Sequence, residues 1–256
     1  RRDHVKQYRI SRENSALVAH SCAIWQKRDA QGRRSEVRTE GPSAAAERAD
    51  EAALECGMAL LVDPFSFPDP ELDPPDHGTR DIVLGGGCFW CTEAVYSQLE
   101  GVDSVVPGYA GGSAETANYE AVCSGRTSHA EVIRVQYEAS RISLGKILKL
   151  FFSIAHDPTQ KDRQGADEGR QYRSVIFYGD ENQKLVAENY IAQLDAHRAF
   201  DAPIVTEVSP LEAFYEAEPY HHAYAARNPY QPYIRGVSDP KVKKLKATYA
   251  DLLKSR

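Results

Sequence analysis

The sequence predicts an α+β fold. The expected architecture is a two-layer sandwich whose mixed sheet has split βαβ, ferredoxin-like order, with an extended N-terminal arm and a C-terminal coil. Three observations predict it. From Arg80 onward, segments alternating at strand spacing are interleaved with segments apolar at helical spacing. Their order is strand, helix, strand, strand, helix, strand, then a further helix and strand. Ahead of them, residues 63–78 are so rich in Pro and Asp that neither a helix nor an inner strand can form, which leaves an arm.

The elements follow in order. Asp81–Leu84 reads as a buried strand, because Ile82-Val83-Leu84 is a short apolar run ending in three glycines. Phe89 to Leu99 reads as a helix stopped by Gly101. Val102–Tyr109 is a strand, followed by a turn at Ala110-Gly111-Gly112. Tyr119–Cys123 is a short helix or turn. Ala130 to Tyr137 alternates cleanly through Val132, Arg134, Val135 and Tyr137, as a strand does. Ser143 caps a helix whose apolar face carries Leu144, Ile147, Leu148, Phe151 and Phe152. Tyr172–Tyr178 is a strand. Asp180 caps a long helix reaching about His197. Ile204–Val208 is a strand, and Glu216–Arg227 a helix ended by Asn228-Pro229.

Three regions are expected along the 256 residues. Residues 80–256 form the functional domain and residues 58–79 the arm. Residues 1–57, rich in Arg, Ala, Glu and Ser, read as a disordered or non-native leader, with Met58, the single methionine, as a possible true start. The formal net charge of −6 is mixed along the chain, unlike the basic field of a nucleic-acid binder. Nothing approaches bilayer-spanning length, and the first thirty residues lack an apolar signal core, so no membrane partner and a cytoplasmic location are expected. Five cysteines are an odd and sparse number, which suits catalytic or redox thiols better than a secreted disulfide framework.

The chemistry concentrates in Gly85-Gly86-Gly87-Cys88-Phe89-Trp90-Cys91-Thr92-Glu93. Cys88 falls where a strand ends and a helix begins. The unpaired N–H groups and positive dipole end there favour a thiolate, which is the nucleophile. Cys91 follows one turn later. That spacing permits a disulfide, or zinc ligation for which a second Cys pair is missing. Phe89 and Trp90 flank the nucleophile and make an apolar wall suited to a substrate methyl group. The glycines lack the spacing of a nucleotide-binding loop, so neither nucleotide, flavin nor metal cofactor is expected. Taken alone, these residues also suit a thioredoxin-like disulfide exchanger.

Gly87-Cys88-Phe89-Trp90-x-x-Glu93 resembles the signature of the A-type peptide methionine sulfoxide reductases. Four further stretches resemble blocks of that family in the right order: Tyr119 to Glu131 (with Ser128 where glycine is usual), His156 to Gln160, Asp167 to Ser174, and Ala217 to His222 with Asn228-Pro229-Tyr230. The resemblance spans about Asp81 to Lys246. It implies reduction of the S epimer of methionine sulfoxide, free or in proteins, as repair of oxidative damage. Cys88 would attack the sulfoxide sulfur. Glu131, with Tyr119 and Tyr172, would bind and protonate the oxygen, and Asp167 would support them. Phe89 and Trp90 would hold the methyl. The product would be methionine plus a Cys88 sulfenic acid. Many relatives carry glycine at position 91 and a cysteine at position 234, where this chain has Ile234. Cys91 is then the expected resolving thiol, with Cys123 a structural cysteine. Thioredoxin is the expected reductant, and a monomer the expected state.

Overall fold

The computed structural model describes residues 64–255. Cys22, Cys56 and the suggested start at Met58 lie outside the described residues.

Strand β1 (Thr79–Gly86) opens the domain and leads into helix α1 (Phe89–Tyr96). Then come β2 (Val102–Ala110), α2 (Tyr119–Cys123), β3 (Ala130–Glu138) and α3 (Leu144–Leu150), which runs on as a π-helical turn over Phe151–Ala155. A small ribbon of β4 (Arg163–Gln164) and β5 (Asp167–Glu168) precedes β6 (Ser174–Tyr178) and α4 (Glu181–Ala196). The chain closes with β7 (Glu207–Pro210), β8 (Phe214–Glu216), α5 (Tyr224–Arg227) and α6 (Asp239–Thr248).

The main sheet has the order β7-β6-β1-β3-β2-β8. Both β1 and β2 pair antiparallel with β3, so they run parallel to each other with β3 between them. β6 adds antiparallel to the other side of β1, and β7 adds parallel to β6. Strand alternation splits the buried residues by face. Ile82, Leu84, Ile133, Val135, Tyr137 and Ile176 join the helices in the main core. Val83, Val132, Val175 and Phe177 form a smaller cluster on the opposite face, under Leu211 and Phe214. Each large apolar side chain buried this way contributes roughly 1.5–3 kcal/mol. The Tyr96 hydroxyl donates to the Ile147 carbonyl at 2.8 Å and ties α1 to α3.

The expected helix caps form. Ser143 Oγ accepts from the Lys146 N–H and an Asp180 carboxyl oxygen from the Gln183 N–H, each satisfying a donor the helix leaves open. The arm is docked. Phe67 is buried with its ring edge on Phe200, Tyr190 Oη donates to the Pro68 carbonyl at 2.6 Å, and Asp73 Oδ1 accepts from the Gly145 N–H at 2.9 Å.

Several boundaries differ from the sequence reading; at the end of α1 and at both sheet edges a distant segment claims the backbone. α1 stops at Tyr96 rather than Leu99, since Glu100 N–H donates to Leu252 O and Lys254 N–H to Gln98 O. Tyr172 lies in a 3-10 turn, Arg170–Tyr172, ahead of β6. The strand expected at Ile204–Val208 lies at Glu207–Pro210, in register with Val175 to Tyr178 of β6. The helix expected over Glu216–Arg227 is reduced to α5, because Phe214–Glu216 pairs with β2 and Ala217 N–H donates to the Pro107 carbonyl. That edge pairing needs Gly108, where a Cβ would sit 2.4 Å from the Phe214 ring and 2.5 Å from the Tyr215 carbonyl oxygen. The C-terminal coil is instead largely ordered, with a π-helical turn at Ile234–Ser238 and then α6, which packs on α1.

Candidate active site

The site is built on the turn between β1 and α1. Gly87 has φ +86°, and a Cβ there would lie 2.7 Å from the Gln164 side chain, so both backbone and space demand glycine. Gln164 is held in place by Asp157: it accepts from the Asp157 N–H at 3.1 Å and donates to the Asp157 carbonyl at 3.0 Å. Asp157 is positioned by its neighbour. His156 is fully buried, with Nδ1 on the Phe151 carbonyl and Nε2 on Ser174 Oγ. The ribbon that carries Asp167 is thereby fastened over the glycine turn.

Cys88 is the N-cap residue of α1 and makes no capping hydrogen bond with its side chain. Its carbonyl accepts from the Cys91 N–H at 3.1 Å, which starts the helix. Both thiols are free and buried. Glu131 lies on β3, opposite Tyr109 of β2 in the register. Its Oε2 accepts from the Phe89 N–H at 3.2 Å, so the carboxyl sits against the same helix start as Cys88. Glu131 is 2% exposed, and burial pushes its pKa well above the ordinary carboxylate value despite the Phe89 N–H; Asp167 and Cys91 push it the same way.

At Cys88, burial opposes the pull of the helix start toward a thiolate. Burial pushes the Cys88 thiol well up, and its hydrogen bond with Cys91 adds to this, as do the charges of Cys91, Glu131 and Asp167. Cys91 moves the other way: its hydrogen bond with Cys88 lowers it, burial opposes, and the Lys241 charge lowers it further.

The aromatic wall is held by residues far away in sequence. Trp90 stacks on Tyr224 with centroids 3.9 Å apart and 11° between planes. Its Nε1–H donates to His221 Nδ1 at 3.0 Å, which leaves the His221 proton on Nε2. His221 is 1% exposed, and burial pushes its pKa down to about 4. Its ring lies 4.9 Å from Phe89 and 4.4 Å from Tyr119. Tyr119 begins α2, and its N–H donates to Glu218 Oε1 at 2.9 Å, while Tyr109 Oη donates to Glu218 Oε2 at 2.9 Å. Burial raises the Tyr119 hydroxyl, with Glu131 and Cys88 adding to the effect.

Of the site residues expected from the sequence, Cys88, Phe89, Trp90, Cys91, Glu131 and Tyr119 gather around the start of α1, and Asp167 reaches it through Tyr233. Tyr172 is buried in the same core as Cys88, Phe89 and Trp90, at the end of a turn that packs on β3. Asp167 is buried on β5 and accepts a hydrogen bond from Tyr233 Oη. Cys123 is half-buried at the end of α2. Sequence reasoning missed Tyr109, Glu218, His221, Tyr224 and Tyr233 as members of the site. The last four lie in the Tyr- and His-rich C-terminal stretch; Glu218 and His221 fall inside the block Ala217 to His222 that resembles the family, which was the available signal for them. Among the described residues, no group of three or more His, Cys, Asp or Glu could hold a metal ion. No described helix is long and apolar enough to cross a membrane.

Residues 80–253 match the family model described as peptide methionine sulfoxide reductase. A curated relative from Synechocystis sp., "Peptide methionine sulfoxide reductase MsrA 2", is 46% identical over 205 residues, covering 77% of this chain and 96% of its own length. An MsrA from Saccharolobus solfataricus is 49% identical over 172 residues, 67% of this chain and 96% of that protein. Among solved structures, reduced Mxr1 from Saccharomyces cerevisiae aligns with a TM-score of 0.54 and 32% identity, over 65% of this chain and 94% of its own. Methionine sulfoxide reductase A of Corynebacterium diphtheriae aligns with a TM-score of 0.52 and 30% identity, over 69% of this chain and 90% of its own.

Proposed function

The chain belongs to the peptide methionine sulfoxide reductase family, and from that premise we propose a mechanism in which Cys88 reduces the S epimer of methionine sulfoxide, free or within proteins. Glu131 enters protonated. It hands its proton to the sulfoxide oxygen, whose charge Tyr119 and Tyr172 share through their hydroxyls. Cys88 sulfur attacks the sulfoxide sulfur as its own proton is lost to the site. The oxygen passes to Cys88, which is oxidised to the sulfenic acid, and the substrate leaves as methionine with its sulfur reduced. The proton released by Cys88 restores Glu131. Phe89 and Trp90 hold the substrate methyl, and Asp167 supports the polar side of the site.

Cys91 then condenses with the sulfenic acid. The S–O bond breaks, an S–S bond forms, and the oxygen leaves as water. Thioredoxin, a dithiol reductant, restores the two thiols by exchange. With both cysteines starting within one helical turn, no remote thiol has to travel to the site.

The observation that carries this reading is Glu131, a buried carboxyl with a raised pKa, bonded to the Phe89 N–H beside Cys88. A carboxyl that keeps its proton above the ordinary carboxylate range, next to a nucleophilic sulfur, is what a poor electrophile such as a sulfoxide requires. Single-turnover reduction of the separated sulfoxide epimers, without reductant and with peptide mapping of the product, tests it. One equivalent of methionine from the S epimer and a Cys88–Cys91 disulfide are expected. Equal use of both epimers, or no methionine, would overturn the assignment.

A further inference from the structure

The geometry points to Tyr233 and Asp167 as a proton relay that serves Cys91 in the resolving step, an inference that rests on Cys91 being the resolving thiol. Three buried side chains from three separate elements form one directed chain. Cys91 Sγ, on α1, lies 3.8 Å from Tyr233 Oη with the thiol as donor. Tyr233 Oη in turn donates to Asp167 Oδ2 on β5. Cys91 is 1%, Asp167 5% and Tyr233 8% exposed, so bulk water does not take the thiol proton directly. The Tyr233 ring is fixed edge-on to Trp90 at 6.2 Å, and the adjacent Ile234 is buried.

The titratable and charged groups that bear on Cys91 are Cys88, Asp167, Tyr233, Lys241 and Glu131. Of these, Tyr233 and Asp167 stand in line to accept its proton. Burial keeps the Tyr233 hydroxyl from ionising by itself, so it passes a proton on only while receiving one. In the resolving step the Cys91 proton moves to Tyr233 Oη as the phenolic proton moves to Asp167. Cys91 supplies the electron pair of the new S–S bond and is oxidised, while the sulfenic sulfur of Cys88 is reduced. The S–O electron pair leaves with the oxygen, which takes a proton from Glu131 and departs as water. Asp167 releases its proton to solvent, and Glu131 recovers one. Midway, the hydroxyl that had accepted from the thiol donates to the thiolate, so a single tyrosine serves both protonation states.

The test is Tyr233→Phe in the full chain, which keeps the ring and removes the hydroxyl. In single turnover with methionine S-sulfoxide, methionine release and disulfide formation are quantified separately, and a cyclic 1,3-diketone traps any sulfenic acid. The ratio of the disulfide rate to the methionine rate is expected to fall about tenfold, the worth of one hydrogen bond to a charged group. Sulfenic acid should accumulate, and the slowed step should accelerate with pH as the Cys91 thiolate fraction rises. A wild-type ratio and pH profile, with the wild-type disulfide mapped to Cys88–Cys91, would overturn the relay alone. A wild-type disulfide that excludes Cys91 would overturn the relay and the resolving assignment together. A second measurement is independent of turnover: in a Cys88→Ser background, the Cys91 thiolate absorbance is titrated with and without Tyr233→Phe. A midpoint raised by about one pH unit supports the relay, and an unchanged midpoint overturns it.

Discussion

Replacing Glu131 by glutamine separates proton delivery from everything else that residue does. Glutamine keeps the volume, and its amide oxygen can still accept from the Phe89 N–H that Glu131 meets at 3.2 Å. The helix start and the aromatic wall are therefore kept, and the acidic proton alone is lost. General acid catalysis of this kind is worth about 10²–10⁴-fold, or about 3–5 kcal/mol of barrier, so the single-turnover rate of methionine formation should fall by that factor. Stability supplies a second readout. Glu131 is buried with its pKa raised, so in the folded state it holds a proton that the unfolded chain gives up above its ordinary pKa. Unfolding then releases a proton, and wild-type stability falls as pH rises from that ordinary value toward the folded one. Glutamine removes this dependence. Its thermal midpoint, measured against pH between about 5 and 8, should gain on wild type as pH rises. A single-turnover rate within threefold of wild type, or a stability difference that does not change with pH, would refute the reasoning.

Other outcomes follow from the same geometry. Cys91→Ser should still give one equivalent of methionine without reductant yet fail to turn over with thioredoxin; multiple turnover at the wild-type rate would remove Cys91 from the resolving role. His156 is fully buried and its pKa is pushed down to about 3, so the unfolded chain gains a proton that the folded one refuses, and stability is lost as pH falls below the ordinary histidine value. By pH 5 that cost is roughly 2 kcal/mol, and a His156→Gln variant should show a correspondingly flatter acid limb in thermal melts. Trp90→Phe loses the bond to His221 and much of the stack on Tyr224, and should raise KM for the S-sulfoxide more than it lowers kcat, as steady-state kinetics would show. Asp73→Ala removes the carboxyl that accepts from Gly145 N–H and Ser143 Oγ and should cost about 1–2 kcal/mol in denaturant unfolding while leaving single-turnover rates near wild type.

Much of the fold could be read from the chain because its signals are local. The alternation of Ala130 to Tyr137 reappears as β3, the caps Ser143 and Asp180 begin α3 and α4, and Tyr119–Cys123 is helical as read. The readings that moved were those at the sheet edges and the C-terminus. Phe214–Glu216 has no strand signature of its own and becomes a strand because Gly108 lets it approach β2. α1 ends early because residues near Leu252 take its last turn. At the site, Cys88, Phe89, Trp90 and Cys91 were evident from one short run, and the family resemblance added Glu131, Tyr119, Tyr172 and Asp167. His221 lay inside a recognised block without a role, and Tyr233 was not evident at all, because nothing near them in sequence shows that they face Trp90 and Cys91.

The sequence by itself determined the strand, the glycine turn and the helix that present Cys88, since those depend on backbone sterics and capping within a few residues. It also determined the family, through ordered blocks of chemistry-bearing residues. Tertiary structure alone decided which titratable groups are buried together. Cys88 carries the helix start that favours a thiolate, yet burial pushes its thiol up, and burial raises the Glu131 carboxyl beside it for the same reason. Desolvation and hydrogen-bond direction arise between segments far apart in the chain, 142 positions for Cys91 and Tyr233, and no local pattern encodes them.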